Sequence, residues 1–315
     1  MTVQRLPITS REEWLSWRRE DVTASVAPAL FGVHPYMTIF ELWARATGLT
    51  PQDKEDTPTR RRGRLLEPIA LTMLAEERPD WRIEPCRVYY RDPDARIGAT
   101  PDAFAVRLAG EDGDGLGVVQ IKTVGPHAFR KGWRNEFGEV EPPLWIGIQA
   151  TIEASLAGAR WAAIAAMEIG DGGLEMHVID VPLHAGLMDR LRVRVREFWR
   201  MVDSRTICEP DFGRDGATIA RLYADDDGGE VDLSGDKRIT ALLAERDTLR
   251  GLEAEGASAE KQRRAIDAEL IFRLGNAQRA RLGGGRMLEA KTVRRAGYEV
   301  AASSYRQVRV KALGL

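Results

Sequence analysis

Asp102, Gln120 and Lys122 are the residues whose types and spacing could do chemistry. The stretch 97–123 reads IGATPDAFAVRLAGEDGDGLGVVQIKT. Two β-like runs, 103–108 and 116–122, flank a turn rich in Gly, Asp and Glu, which predicts a hairpin. Gln120 and Lys122 stand two apart on the second run and so share a face. The hairpin folds that face towards Asp102 at the head of the first run. A carboxylate, an amide oxygen and an ammonium then converge. A carboxylate can hold a hard divalent cation such as Mg²⁺, which prefers oxygen ligands and keeps several waters. A lysine beside it can orient or deprotonate one of those waters and steady charge on a phosphate. That is the kit for metal-assisted phosphodiester hydrolysis. Taken alone, the same residues also describe a surface hairpin with a Pro-Asp turn and a solvent-facing lysine, the commoner use of so short a pattern.

The elements that must position these groups can be read in order. Ser10-Arg11-Glu12-Glu13 is a capping box ahead of a helix with Trp14, Leu15 and Trp17, and Thr38-Ile39-Phe40-Glu41 is a second, opening a short helix closed near Gly48. A helix is predicted over 60–77, with Leu65, Leu66, Ile69, Met73 and Leu74 as its apolar stripe and Pro68 as a kink or effective start. Arg60, Arg61, Arg62 and Arg64 crowd within a turn or two of Glu67. They read either as a grip on a DNA backbone or as a solvated basic face with Glu67 in a local ion pair. Strands are expected at 87–91 and 97–99. The segment 127–134 reads as a basic and aromatic loop able to touch nucleic acid.

A helix over 144–157 puts Trp145 and Gln149 on one face, with Glu153 a further turn along. A hairpin follows at 160–168 and 174–181, then a long amphipathic helix over 183–204 with an arginine-rich outer face. Residues 211–236 read as an acidic linker. Beyond it, helices over 236–254 and 258–281 form a hairpin ended by Gly283–Gly285, and a tail over 286–310 forms short strands.

Composition narrows the class. The chain has 315 residues, 43% hydrophobic and 30% charged, with a formal net charge of −2. That is an ordinary globular balance. DNA contact therefore requires a local basic cleft in a near-neutral molecule. Cys86 and Cys208 lack metal-ligand spacing and read as reduced thiols. No apolar run is long enough to span a membrane, and the N-terminus has no signal-peptide core. A cytoplasmic location, in a bacterial or phage-infected cell, is the expectation.

Beyond this local reading, the chain resembles the PD-(D/E)XK nucleases, and within them the YqaJ-like, lambda-exonuclease-like group of phage recombinases. The blocks that carry the resemblance occur in order: Trp14-x-x-x-Arg18, Val22-Thr23-Ala24-Ser25, Ala29-Leu30-Phe31-Gly32-Val33-His34-Pro35-Tyr36, Glu41-Leu42-Trp43, Gly63-Arg64-x-x-Glu67-Pro68, Gly98-Ala99-Thr100-Pro101-Asp102, Gln120-Ile121-Lys122 and Trp145-x-x-x-Gln149. The resemblance implies an α/β fold, a mixed central sheet flanked by helices over residues 1–210. Residues 211–236 then form a linker, and 237–315 a helical hairpin with a β tail. It implies a Mg²⁺-dependent deoxyribonuclease, with Mn²⁺ as a substitute, acting as an exonuclease on double-stranded ends in recombination. Glu67, Asp102 and the Ile121 backbone carbonyl would hold metal, and Lys122 would act on the water. Arg18 and Ser25 would grip a 5′-phosphate, and Thr100, Gln149 and Arg64 would place DNA. A homo-oligomer and a single-strand annealing partner are implied as well.

One departure matters. The group has Glu or Asp where this chain has Gln120, which offers a neutral carbonyl oxygen. Gln120 is then a weak ligand or sits behind the ligands, and Glu153 is a candidate replacement acid. The alternative is a catalytically impaired DNA-binding accessory protein on the same fold.

Overall fold

The computed structural model describes residues 2–50, 57–108, 115–170 and 172–223, and beyond these only scattered positions up to Glu289. The chain divides into two units, Met1–Tyr223 and Ala224–Leu315. The first opens with β1 (Gln4–Pro7), α1 (Arg11–Glu20) and β2 (Val22–Thr23). A 3-10 turn (Ala27–Phe31), α2 (Ile39–Ala46) and α3 (Pro58–Glu77) follow. Five strands come next: β3 (Trp81–Pro85), β4 (Val88–Asp92), β5 (Ile97–Ala99), β6 (Ala103–Arg107) and β7 (Leu116–Val124). The unit ends with α4 (Pro126–Gly132), α5 (Leu144–Ala157), β8 (Trp161–Gly170), β9 (Gly173–Val181), α6 (Leu187–Asp203) and α7 (Gly216–Leu222).

Local signals account for several of these boundaries. Ser10 caps α1 by accepting from the Glu13 amide at 3.1 Å, and Thr38 caps α2 by accepting from the Glu41 amide at 3.0 Å. Thr57 with Pro58 behind it starts α3, as expected of a proline in the first helical turn. Gly158, at φ 72°, stops α5 in the left-handed region.

The strands form two mixed sheets, ordered β1-β4-β5-β2 and β3-β6-β7-β8-β9. In the first, only β2 and β5 run parallel, and in the second only β7 and β8. β7 is covered on both sides. Val118 and Val124 join the cluster containing Ile146, Ala150 and Ile164, whereas Val119 and Ile121 join the one containing Ala70, Leu74 and Ala165. Helix α5 thus lies on one face of β7 and α3 on the other. A strand covered on both faces reads as a nearly continuous apolar run, and that makes the buried Gln120 in its middle conspicuous.

Four expectations need correction. Leu65 and Ile69 are exposed on α3; Leu66, Met73 and Leu74 of the expected stripe do face inward, with Ala70 beside them. The segment 127–134 is mostly helical, and Phe129 and Trp133 are core residues, so they are not a stacking surface for bases. Strand β3, unremarked in the sequence, pairs with β6. The start of the acidic stretch is folded: Asp215 is buried and takes a hydrogen bond from Thr38, and α7 follows.

In the second unit the described positions between Lys237 and Gly256 are helical. Strands β10 (Arg279–Arg281) and β11 (Met287–Glu289) pair antiparallel. Residues 279–281, expected to end a helix, form a strand instead. The remainder of the expected helical hairpin and β tail lies outside the described residues, as does most of the acidic stretch beyond Tyr223.

Candidate active site

Thr100, Pro101 and Asp102 carry the chain from β5 in one sheet to β6 in the other. The β6–β7 register sets Ala103 opposite Val119, so Asp102, one step beyond the last pair, stands beside Gln120. Its Oδ2 accepts from the Ile121 amide at 2.7 Å and from the Gln120 side-chain amide. Its own carbonyl accepts from the Cys86 amide at 3.0 Å, which pins the backbone there. Because an extended residue projects its N–H and C=O to the same side of its strand, the Ile121 carbonyl points to the side of β7 on which Asp102 lies.

The polar chain continues inward. Gln120 Oε1 accepts from Gln149 Nε2 at 3.0 Å, and the same nitrogen donates to Glu153 Oε1 at 2.8 Å. Gln149 turns its nitrogen towards Glu153 Oε1, which accepts. That choice fixes Gln120 with its oxygen towards Gln149 and its nitrogen towards Asp102. Gln149 and Glu153 are one turn apart on α5, both buried.

The electrostatics of the cluster run in one direction. Burial pushes the Asp102 carboxyl up, against the pull of Lys122, the Ile121 amide and Gln120. Glu67, on α3, is raised by burial and then by the charge of Asp102, with Lys122 opposing. Glu153 is pushed up to about 8 by burial and then by Asp102, opposed by Gln149, Lys122 and Arg18. Three carboxyls thus feel one lysine, an excess of negative charge in a poorly solvated place. In addition, Glu153 Oε2 is buried without a hydrogen-bond partner. Hard oxygen donors, surplus negative charge and an orphaned carboxylate oxygen suit a hard divalent cation. Gln120, as oriented, spends its only ligating atom on Gln149.

A second cluster adjoins the first. Trp14 and Arg18 lie one turn apart on α1, and the Arg18 guanidinium sits 4.5 Å above the Trp14 ring. Arg18 Nη2 donates to Ser25 Oγ at 3.2 Å and reaches Thr23 Oγ1 at 3.5 Å. Trp14 Nε1 donates to Thr100 Oγ1 at 3.0 Å. Arg18, Ser25 and Thr100 are therefore one constellation, tied to Asp102 through only one intervening residue. Trp14 belongs to the Trp14-x-x-x-Arg18 block of the sequence but is given no role there; its contacts with Arg18 and Thr100 supply one. Arg64 is exposed on α3, three residues before Glu67.

This is an α/β protein in which an acidic centre and a guanidinium–hydroxyl corner lie side by side, beside the link between its two mixed sheets. The chain belongs to the YqaJ-like viral recombinase domain family, whose sequence model matches residues 13–300. No curated protein matches the chain. Among solved structures it is similar to an alkaline exonuclease (LHK-Exo) from Laribacter hongkongensis, at 18% identity and a TM-score of 0.47, covering 66% of this chain and 100% of that one. The KSHV SOX RNA complex is similar at 12% identity and a TM-score of 0.39, covering 66% and 74%. A SOX–DNA complex gives 12% identity and a TM-score of 0.38, covering 65% and 70%.

Proposed function

We propose that the protein is a Mg²⁺-dependent deoxyribonuclease of the PD-(D/E)XK type, an exonuclease trimming double-stranded DNA ends during phage-type recombination. The observation that carries this reading is the hydrogen bond that sets Asp102 against Ile121 of β7, with Glu67 and Lys122 near enough to act on Asp102 or on each other by charge. Membership of a viral recombinase family supports DNA as the substrate.

Glu67, Asp102 and the Ile121 carbonyl would hold Mg²⁺, or Mn²⁺ in its place. When bound, such an ion polarises a phosphoryl oxygen and makes a water more acidic. Lys122 acts on Asp102 by charge, and its ammonium would orient the attacking water and balance charge on the phosphate. Arg18 and Ser25 offer the donor set that a terminal phosphate takes, a guanidinium fork and a hydroxyl. Thr100, held by Trp14, and Gln149, held by Glu153, fix the floor on which the DNA end rests, and Arg64 meets the backbone outside. A homo-oligomer and a single-strand annealing partner complete the reading by family resemblance.

One observation favours a second reading, a DNA-binding accessory protein that does not cut. The Gln120 amide bonds Asp102 directly, which keeps that carboxylate satisfied without an ion. Incubating end-labelled linear duplex with the protein and Mg²⁺ or Mn²⁺ decides between the two. Metal-dependent release of nucleotides supports the nuclease. Salt-sensitive DNA binding without cutting supports the accessory protein.

A further inference from the structure

Glu153 is the one buried acid of the described residues with a carboxylate oxygen left unpartnered. Its counterparts are all engaged. Asp21 accepts from Tyr89 and Arg91, Asp92 from the Ala95 amide, Asp215 from Thr38 and the Asp211 amide, and Glu41 from Arg45. Asp21 and Asp215 have both oxygens hydrogen-bonded, and Asp92 and Glu41 each face an arginine. Glu153 is 1% exposed and receives a single hydrogen bond, from Gln149. A structural role at this position would be served better by a neutral side chain, because an ion buried with a free oxygen opposes folding.

Its surroundings say what the free oxygen is for. The charged or titratable groups that act on Glu153 are Asp102 at the head of β6, Lys122 on β7 and Arg18 on α1, and Glu153 in turn acts on the Cys86 thiol between β3 and β4. Gln120 lies between the two carboxylates, joined to Asp102 through its nitrogen and to Glu153 through Gln149. The strand position two residues before the lysine carries an amide, and the missing negative charge stands behind it, on α5.

We propose that Glu153 is a metal-directed carboxylate of this site, supplying with Asp102 the negative charge that Gln120 does not, for a hard divalent cation. This rests on the metal-site reading above. Gln120 then serves as a neutral spacer whose carbonyl oxygen turns to the ion only if its bond with Gln149 is exchanged. No bond is made or broken in this step beyond coordination and loss of the carboxyl proton to water.

The test uses the full chain and Mn²⁺ alone, with binding measured by calorimetry or by loss of the free-ion electron paramagnetic resonance signal. Glu153→Gln is expected to weaken Mn²⁺ binding about 30-fold or more while the metal-free protein melts at the same temperature or higher, since the amide is neutral at every pH and a buried acid without its partners is removed. Gln120→Glu combined with Glu153→Gln should recover binding to within about five-fold of the parent, because the charge returns to the same cluster. If Glu153→Gln does not fold, Glu153→Asp, which keeps the charge and withdraws it by one methylene, should weaken binding instead.

Parent-like binding by Glu153→Gln overturns the proposal, and so does failure of the double variant to recover. In either case a parent that binds Mn²⁺ and loses it on Asp102→Ala leaves the metal-site reading standing. A parent that binds no Mn²⁺ overturns both.

Discussion

Asp21 and Glu153 are two buried acids of the same unit, and burial raises both carboxyls. At Asp21 the Arg91 guanidinium donates to Oδ1 at 3.1 Å, the Tyr89 hydroxyl donates to Oδ2 at 2.9 Å, and Arg91 also bonds Glu20 at 2.7 Å. The backbone is shaped around this corner: a Cβ on Gly98 would lie 1.8 Å from the Tyr89 hydroxyl. At Glu153 there is one amide donor, a neighbouring carboxylate and an oxygen without a partner. A raised carboxyl is therefore no mark of a functional site by itself. The discriminating feature is whether the protein completes the acid's partners or leaves them for something else.

The largest effect expected lies at the centre of the open cluster. Asp102→Ala should lower DNA cutting by at least ~10³-fold, on the order of 4 kcal/mol of barrier, with the melting temperature little changed. Lys122→Ala should do the same while keeping Mn²⁺ binding. Measured turnover near that of the parent in either variant would remove that residue from the chemistry.

The closed corner should show the opposite signature. Asp21→Asn strips Arg91 and Tyr89 of their shared acceptor and should destabilise the protein by about 3 kcal/mol, without altering Mn²⁺ affinity. Denaturant unfolding beside a metal titration reads both. If Asp21→Asn instead weakens Mn²⁺ binding, the two corners are not separate and the comparison fails.

A pH series sharpens the contrast in the metal-free protein. The Glu153 carboxyl sits at about 8 when folded, above its ordinary value of 4.5. The folded state thus holds the extra proton between those values, and stability falls as pH rises through that window. Asp102 and Glu67 are raised as well and add in the same sense. Between pH 5 and 8 the parent should lose on the order of 3 to 4 kcal/mol, and Glu153→Gln should lose distinctly less. Parallel curves for the two proteins would mean that Glu153 does not titrate in that range.

The smallest effect concerns the end grip. If Arg18 and Ser25 hold a 5′-phosphate, dephosphorylated ends should be digested about 10-fold more slowly, as expected for loss of a charge-assisted contact. Arg18→Ala should erase the difference. Equal rates on both kinds of end in the parent protein would assign Arg18 to bracing Trp14 and Ser25 instead.

Much of the local structure was legible because its causes lie within a few residues. Ser10 and Thr38 announce their helices through hydroxyls that reach an amide three residues on. The boundaries of α5 follow from the proline pair before it and Gly158 after it. The alternation of Gln120 and Lys122 puts both on one face of a strand whatever the rest of the chain does. The Arg18–Ser25 pairing rested on family resemblance, since seven residues of separation specify no contact by themselves.

Packing between distant segments decided the rest. Only the tertiary structure places the Asp102 turn between two sheets, because that depends on β5 pairing with β2 and β6 with β7. Only it turns Phe129 and Trp133 into core and leaves Leu65 exposed, since helical periodicity gives a face but not the neighbour that covers it. It also supplies the context of Glu153. The sequence determines that a carboxylate stands one turn beyond Gln149. That this carboxylate is buried, short of a partner and set behind the amide where an acid is expected is a property of three segments brought together. Desolvation and proximity, which set its charge state, exist only once they meet.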